Sequence, residues 1–173
     1  ENYQKAQAHF DELLDAMVAH GGLVKEESFL SELAKDENTQ NHINFLLVVG
    51  EPFVKIREDD HFHHRWTTNP ELAESVHGAL HNLHGELKEE DIISETEIVV
   101  RFLGHLKDVL EEEIDQIKAR RWLSISKVLG SNALGEWGLS SAPHIRARGM
   151  RDLAHLVLRK EGKPLHFTQV AEQ

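Results

Sequence analysis

Apolar positions along this chain follow two rhythms, a helical one for most of its length and a strand-like one in short interruptions. Phe10, Leu13, Leu14, Met17 and Val18 recur at i, i+3, i+4, i+7 and i+8, which predicts a helix over residues 3–19. Gly21-Gly22 ends it, because glycine adopts the left-handed C-terminal conformation without strain. Leu23-Val24 follows as a short extended piece, and Glu26 to Leu33 predicts a second helix through Phe29, Leu30 and Leu33. A third, from about Asn38 to Val49, turns Ile43, Leu46 and Leu47 inward and Thr39, Gln40, Asn41 and Asn44 outward. Gly50 and Pro52 then break the rhythm. Val54 and Ile56 alternate with Lys55 and Arg57, Glu58-Asp59-Asp60 forms a polar tip, and Phe62, His64 and Trp66 alternate on the return, the pattern of a β-hairpin. A lone hairpin is marginal in water, so helices are expected to cover its apolar face.

The same order of elements restarts at Asn69. Asn69 caps, and Pro70 opens, a helix to about Glu86 with Leu72, Val76, Leu80, Leu83 and Leu87 inward. Lys88 to Asp91 is a charged turn and Ile92-Ile93 an extended piece. Ser94 with Glu97 has the capping-box spacing, ahead of a helix through Ile98, Val99, Phe102 and Leu103. A long helix is expected from about Asp108 to Leu129, ended by Gly130, and Trp137 to Ile145 with Pro143 is the second candidate ribbon. The two halves match in element order and spacing rather than in residue identity. A third start follows: helix Arg151 to Lys160, a turn at Glu161-Gly162-Lys163-Pro164, extended Leu165-His166-Phe167, and a helix capped by Thr168. The predicted fold is mainly α with small β-hairpins, built as tandem winged helix-turn-helix units: residues 1–69, residues 70–147, and a truncated start over residues 148–173. The truncated start leaves apolar surface that must lean on the second unit or on another chain, a route to homo-oligomers.

At 173 residues and 40% apolar content the chain can bury one real core or two small ones. It opens at Glu1 and stops at Gln173 inside a helical pattern, which reads as a piece of a longer protein. The absence of cysteine excludes disulfides and thiolate metal sites and suits a reducing compartment. No apolar run approaches the roughly 20 residues of a membrane span. The net charge of -11 argues against a general nucleic-acid coat, but it is unevenly distributed. Residues 1–70 hold 6 Lys/Arg against 13 Asp/Glu, residues 71–117 hold 3 against 13, and residues 118–173 hold 10 against 4. Such asymmetry points to a partner that meets one end of the molecule.

The best nucleic-acid surface by sequence is the basic third: Lys118, Arg120, Arg121 and Lys127 on the expected recognition helix, then Arg146, Arg148 and Arg151 beyond the ribbon. Arginine forks both guanine edges and phosphates. The competing reading pairs Arg120 or Arg121 with Glu111 to Asp115 or with a neighbouring unit. In the first unit, Gln40, Asn41 and Asn44 are able to read adenine or to face a partner, although the acidic ribbon tip would repel phosphate. His77, His81 and His84 share one helix face, and His61, His63 and His64 crowd one strand. No His-Glu-x-x-His motif accompanies them, so no metal or other cofactor is expected. With no phosphate loop, no Gly-x-Ser-x-Gly and no cysteine, the chain reads as a non-enzyme. Trp66, Trp122 and Trp137 are expected to anchor ribbons to helices, Trp137 alternatively serving as an exposed partner contact.

Arg151-Asp152-Leu153-Ala154-His155-Leu156-Val157-Leu158 with Gly162-Lys163-Pro164-Leu165-His166-Phe167-Thr168-Gln169-Val170-Ala171-Glu172 resembles the start of a HARE-type helix-turn-helix domain, the winged-helix family that includes the N-terminal domain of the bacterial RNA polymerase delta subunit. Gly135-Glu136-Trp137-Gly138-Leu139 with Pro143 and Ile145 is similar to the ribbon leading into that domain in sigma-factor-like proteins. Asn41-His42-Ile43-Asn44-Phe45-Leu46-Leu47 and Pro52-Phe53-Val54-Lys55-Ile56 are similar to the region after the sigma region 4 helix-turn-helix. The resemblance implies tandem winged helices in a bacterial transcription protein, cytoplasmic and nucleoid-associated, with promoter-like duplex DNA and/or RNA polymerase as partners. The alternative is an acidic protein-docking array that touches no DNA.

Overall fold

Helices alternate with two small sheets in the computed structural model, which describes residues 2–110 and 114–162, with side chains from Gln7 onward. The order is α1 (Asn2–Ala19), β1 (Leu23–Lys25), α2 (Glu26–Leu33), α3 (Glu37–Val49), β2 (Val54–Ile56), β3 (Arg65–Thr67), then α4 (Pro70–Glu86), β4 (Ile93–Ser94), α5 (Glu95–Leu106), α6 (Gln116–Leu123), β5 (Leu129–Ser131), β6 (Glu136–Leu139), α7 (Pro143–Arg146) and α8 (Met150–Glu161). The chain is mainly α, with two three-stranded antiparallel sheets ordered β1-β3-β2 and β4-β6-β5. One arrangement, helix, strand, two helices, hairpin, thus occurs twice. Each extended piece predicted between helices joins its hairpin as a third strand: Leu23 faces Thr67 in the first sheet and Ile93 faces Trp137 in the second. Among the described residues no helix is long and apolar enough to cross a membrane.

Local chemistry sets the helix boundaries. The Asp36 carboxylate accepts from Thr39 N at 2.9 Å, Asn69 Oδ1 from Leu72 N at 3.1 Å, Ser94 Oγ from Glu97 N at 3.2 Å, and Asp115 Oδ1 from Lys118 N at 2.8 Å, each satisfying an otherwise orphaned amide of a first turn. The last of these corrects the sequence reading. No single helix runs from Asp108 to Leu129: α5 ends at Leu106, Asp115 caps a new helix, and that helix stops at Leu123. Two serines compete with the helical ladder just beyond. Ser124 Oγ donates to Arg121 O at 2.6 Å, and Ser126 Oγ accepts from Val128 N and Leu129 N at 3.1 and 3.0 Å. Leu129 therefore enters β5, and Gly130 is a strand residue rather than a helix stop. The second ribbon is accordingly β5 with β6, and Pro143 begins the short helix α7 instead of lying in a strand. The predicted extended piece at Leu165 to Phe167 and the helix capped by Thr168 lie outside the described residues, as does the acidic run Glu111 to Glu113.

The first hairpin also differs from its prediction. Its strands pair over three residues each, Val54 with Thr67 and Ile56 with Arg65, and β3 is central, so Arg65, Trp66 and Thr67 are all buried. Phe62 does not continue the return strand. Asp59 Oδ1 accepts from His61 N and Phe62 N, both at 2.8 Å, and turns the chain away from the sheet. Phe62 then bridges Ser126, His63 N donating to Ile125 O at 2.9 Å and Lys127 N to His61 O at 2.7 Å.

Two apolar clusters result. Leu13, Met17, Val24, Phe29, Leu47, Phe53 and Trp66 form the first, within residues 2–69. The larger one is built on α4, α5 and α6, and it includes Leu23 and Phe62 from the first repeat. The two repeats therefore share a core. All three tryptophans are buried, so Trp137 anchors its ribbon and is not an exposed contact.

Candidate functional site

Three of the seven cations expected to meet DNA are held by the protein itself. Arg121 Nη2 donates to Glu32 Oε2 on α2 at 3.0 Å, a carboxylate that also meets His20 Nε2 at 2.9 Å. Arg120 pairs with Glu95 at the start of α5. Lys127 Nζ donates to Glu58 Oε2 at 2.9 Å and to Asp59 O at 2.8 Å. That contact draws the Glu58 carboxyl below its ordinary pKa, the Lys127 hydrogen bond and its charge being the main causes. One acid of the ribbon tip of the first repeat, Glu58, is thus paired by a lysine of the second. Arg120 pairs with α5 and Arg121 with the neighbouring repeat, while Glu111 to Glu113 lie outside the described residues.

Helix α6 is covered as well as paired. Ala119, Trp122 and Leu123 are buried, and the Trp122 ring lies against Gly21, where an added Cβ would stand 3.2 Å from Nε1. Gly21 has φ +101°, so both its conformation and its closeness to the indole require glycine. Lys118 lines a cleft of about 530 Å³ between the end of α1, α4 and α6, with Glu71 among the other walls. The remaining three cations differ: Arg146, Arg148 and Arg151 are exposed, and none has an acidic partner among the described residues. The structure therefore divides the predicted basic patch into an internal brace and a free C-terminal cluster.

On α3 the three predicted polar readers also part company. Gln40 Nε2 turns back to donate to Ala34 O at 2.8 Å, Asn44 is half-buried, and Asn41 alone is exposed. The outer face carries residues the sequence reading passed over, Phe45, Val48 and Val49, which are 61, 65 and 50% exposed. The signal was present in the run Phe45-Leu46-Leu47-Val48-Val49: it is longer than one buried stripe of a helix can absorb, so part of it must face outward.

The histidines pack around Phe62. The Phe62 ring stacks on His77 at 4.7 Å and meets His81 edge-on at 5.1 Å, while His61 lies 5.0 Å from His81. His77 Nε2 accepts from Arg65 Nε at 2.7 Å, which fixes His77 as a neutral imidazole because arginine can only donate. Arg65, 3% exposed, also donates to the carbonyls of Arg57 and His63. His84 shares a hydrogen bond with Ser126 Oγ at 2.9 Å. Burial pushes His77 down to about 4, with the Arg65 charge adding to it, and pushes His84 down to about 4, with His81 and His61 adding. Among the described residues no three His, Asp or Glu side chains converge as a metal site would require. The histidines hold the junction of the two repeats together. Compared with models of known families, with characterised proteins and with solved structures, the chain matches none of them.

Proposed function

We propose that this chain is a non-enzymatic tandem winged-helix module of a transcription protein, in which the two repeats form one scaffold for docking other proteins. The repeated order of helices and three-stranded sheets supports the winged-helix reading, and the resemblance of residues 151–172 to the HARE-type family supports the transcription setting. A winged helix reads DNA by laying its third helix in the major groove. The observation that carries the docking reading is the state of α6: Ala119, Trp122 and Leu123 are buried, and the two arginines of the helix are already engaged with Glu95 and Glu32. A second reading, contact with DNA phosphates, rests on Arg146, Arg148 and Arg151 alone.

Titration of a labelled duplex separates the two. With Arg120→Ala and Arg121→Ala together, any DNA affinity is expected to equal that of the parent, because those side chains are already paired with Glu95 and Glu32. Should the C-terminal cluster bind phosphates, three contacts would weaken binding about 40-fold between roughly 50 and 200 mM salt, and Arg146→Ala with Arg148→Ala and Arg151→Ala would remove it. Loss of duplex binding in the first variant would overturn the docking reading and restore α6 as a DNA reader.

A further inference from the structure

Resting on the docking reading above, we propose that α3 is the surface on which this module receives a basic amphipathic helix of a protein partner. Phe45, Val48 and Val49, at i, i+3 and i+4, stand on one face of the helix and are each at least half exposed. An apolar stripe of this kind on a water-facing helix marks a binding surface more often than a chance exposure. The spacing gives a continuous apolar strip along the outside of α3, the form that packs against the apolar face of an amphipathic helix through anchors one turn apart.

Charge chooses the occupant. Helix α3 holds no lysine or arginine, so phosphates have nothing to grip. Acids stand at its two ends instead: Glu37 opens the helix and Glu51 follows it, both exposed. Neither has a cation within ion-pair distance among the described residues, whereas Lys25 pairs with Glu27 and Lys55 with Glu26. A second copy of the chain would set Glu37 and Glu51 against their own kind. A helix with an apolar stripe and a lysine- or arginine-rich rim meets both requirements at once.

The full chain is titrated into a fluorescein-labelled model peptide of about 18 residues with leucine on one face and lysine on the other, and into its leucine/glutamate counterpart, with anisotropy as the readout. The basic peptide is expected to bind with a Kd on the order of micromolar that weakens as salt rises, and the acidic peptide is expected not to bind. Phe45→Glu with Val48→Ser should raise that Kd at least about tenfold with an unchanged circular dichroism spectrum, since both residues are exposed. Equal binding of the two peptides, or unchanged binding in the double variant, overturns the assignment of α3. The α6 duplex titration is independent of it, so the docking reading can survive that failure. A parent dimer in sedimentation equilibrium that Phe45→Glu dissolves would also overturn it, giving the face to a second copy.

Discussion

Phe62→Ala is expected to lower the free energy of unfolding by about 3–5 kcal/mol, a loss typical of a fully buried phenylalanine. Phe62 belongs by sequence to the first repeat and by packing to the core of the second, where it is 3% exposed. Its ring stacks on His77 at 4.7 Å, and the Arg65 guanidinium lies 5.0 Å from its centre. Removing it leaves a cavity between the repeats and takes away the ring on which the Arg65 guanidinium packs, so both repeats are weakened together. Denaturant unfolding followed by tryptophan fluorescence and by circular dichroism should show one coincident transition at a lower midpoint. A loss below about 1 kcal/mol, or a shift confined to one probe, would mean that the repeats are stabilised separately.

The second large effect is one of pH. His77 and His84 are held at about 4 in the folded chain against an ordinary value near 6.5. Above pH 6.5 both are neutral folded or unfolded, and they cost nothing. Below it the unfolded chain takes up protons that the folded chain refuses, so stability falls by about 1.4 kcal/mol per pH unit for each histidine until pH 4. The loss amounts to roughly 3 kcal/mol for each and less than the sum for both, because they share one cluster with His61, His81 and Arg65. Asp59, as a counter-charge, favours protonation of His77, but burial and the Arg65 charge outweigh it. His77→Gln keeps an acceptor for Arg65 and does not titrate, so its unfolding midpoint should vary less between pH 6.5 and 4 than that of the parent. An equal pH slope in the variant would remove His77 from the cause.

Residues that act through their own neighbours were legible in the sequence. The caps at Asn69 and Ser94, the helix α2 and the short extended piece at Leu23 each follow from a few adjacent side chains, and each stands where it was expected. The failures have two causes, short polar contacts that composition does not reveal and partners distant in sequence. The stretch from Asp108 to Leu129 is broken by the first kind, the Asp115 cap on Lys118 N and the Ser126 hydroxyl serving Val128 and Leu129, with His84 as its distant partner. The Phe62 alternation suggested a strand because its true neighbours are on α4 and beside Ser126. The basic residues of α6 looked available for the same reason: Glu32, which holds Arg121, is 89 positions away. Composition located the cations without revealing what they face.

The bridge from Phe62 to Ser126 also governs the order in which the molecule can be made. A nascent chain that has left the ribosome only as far as residue 69 carries Leu23 and Phe62 with nothing to cover them, although both are nearly inaccessible in the finished protein. Helix α4 covers them in part, and the bridge at Ile125 and Ser126 is completed only when more than fifty further residues have emerged, so apolar surface of the first repeat stands open during synthesis. Cutting the gene between residues 69 and 70 should therefore give two sticky halves that regain solubility only when they are produced together.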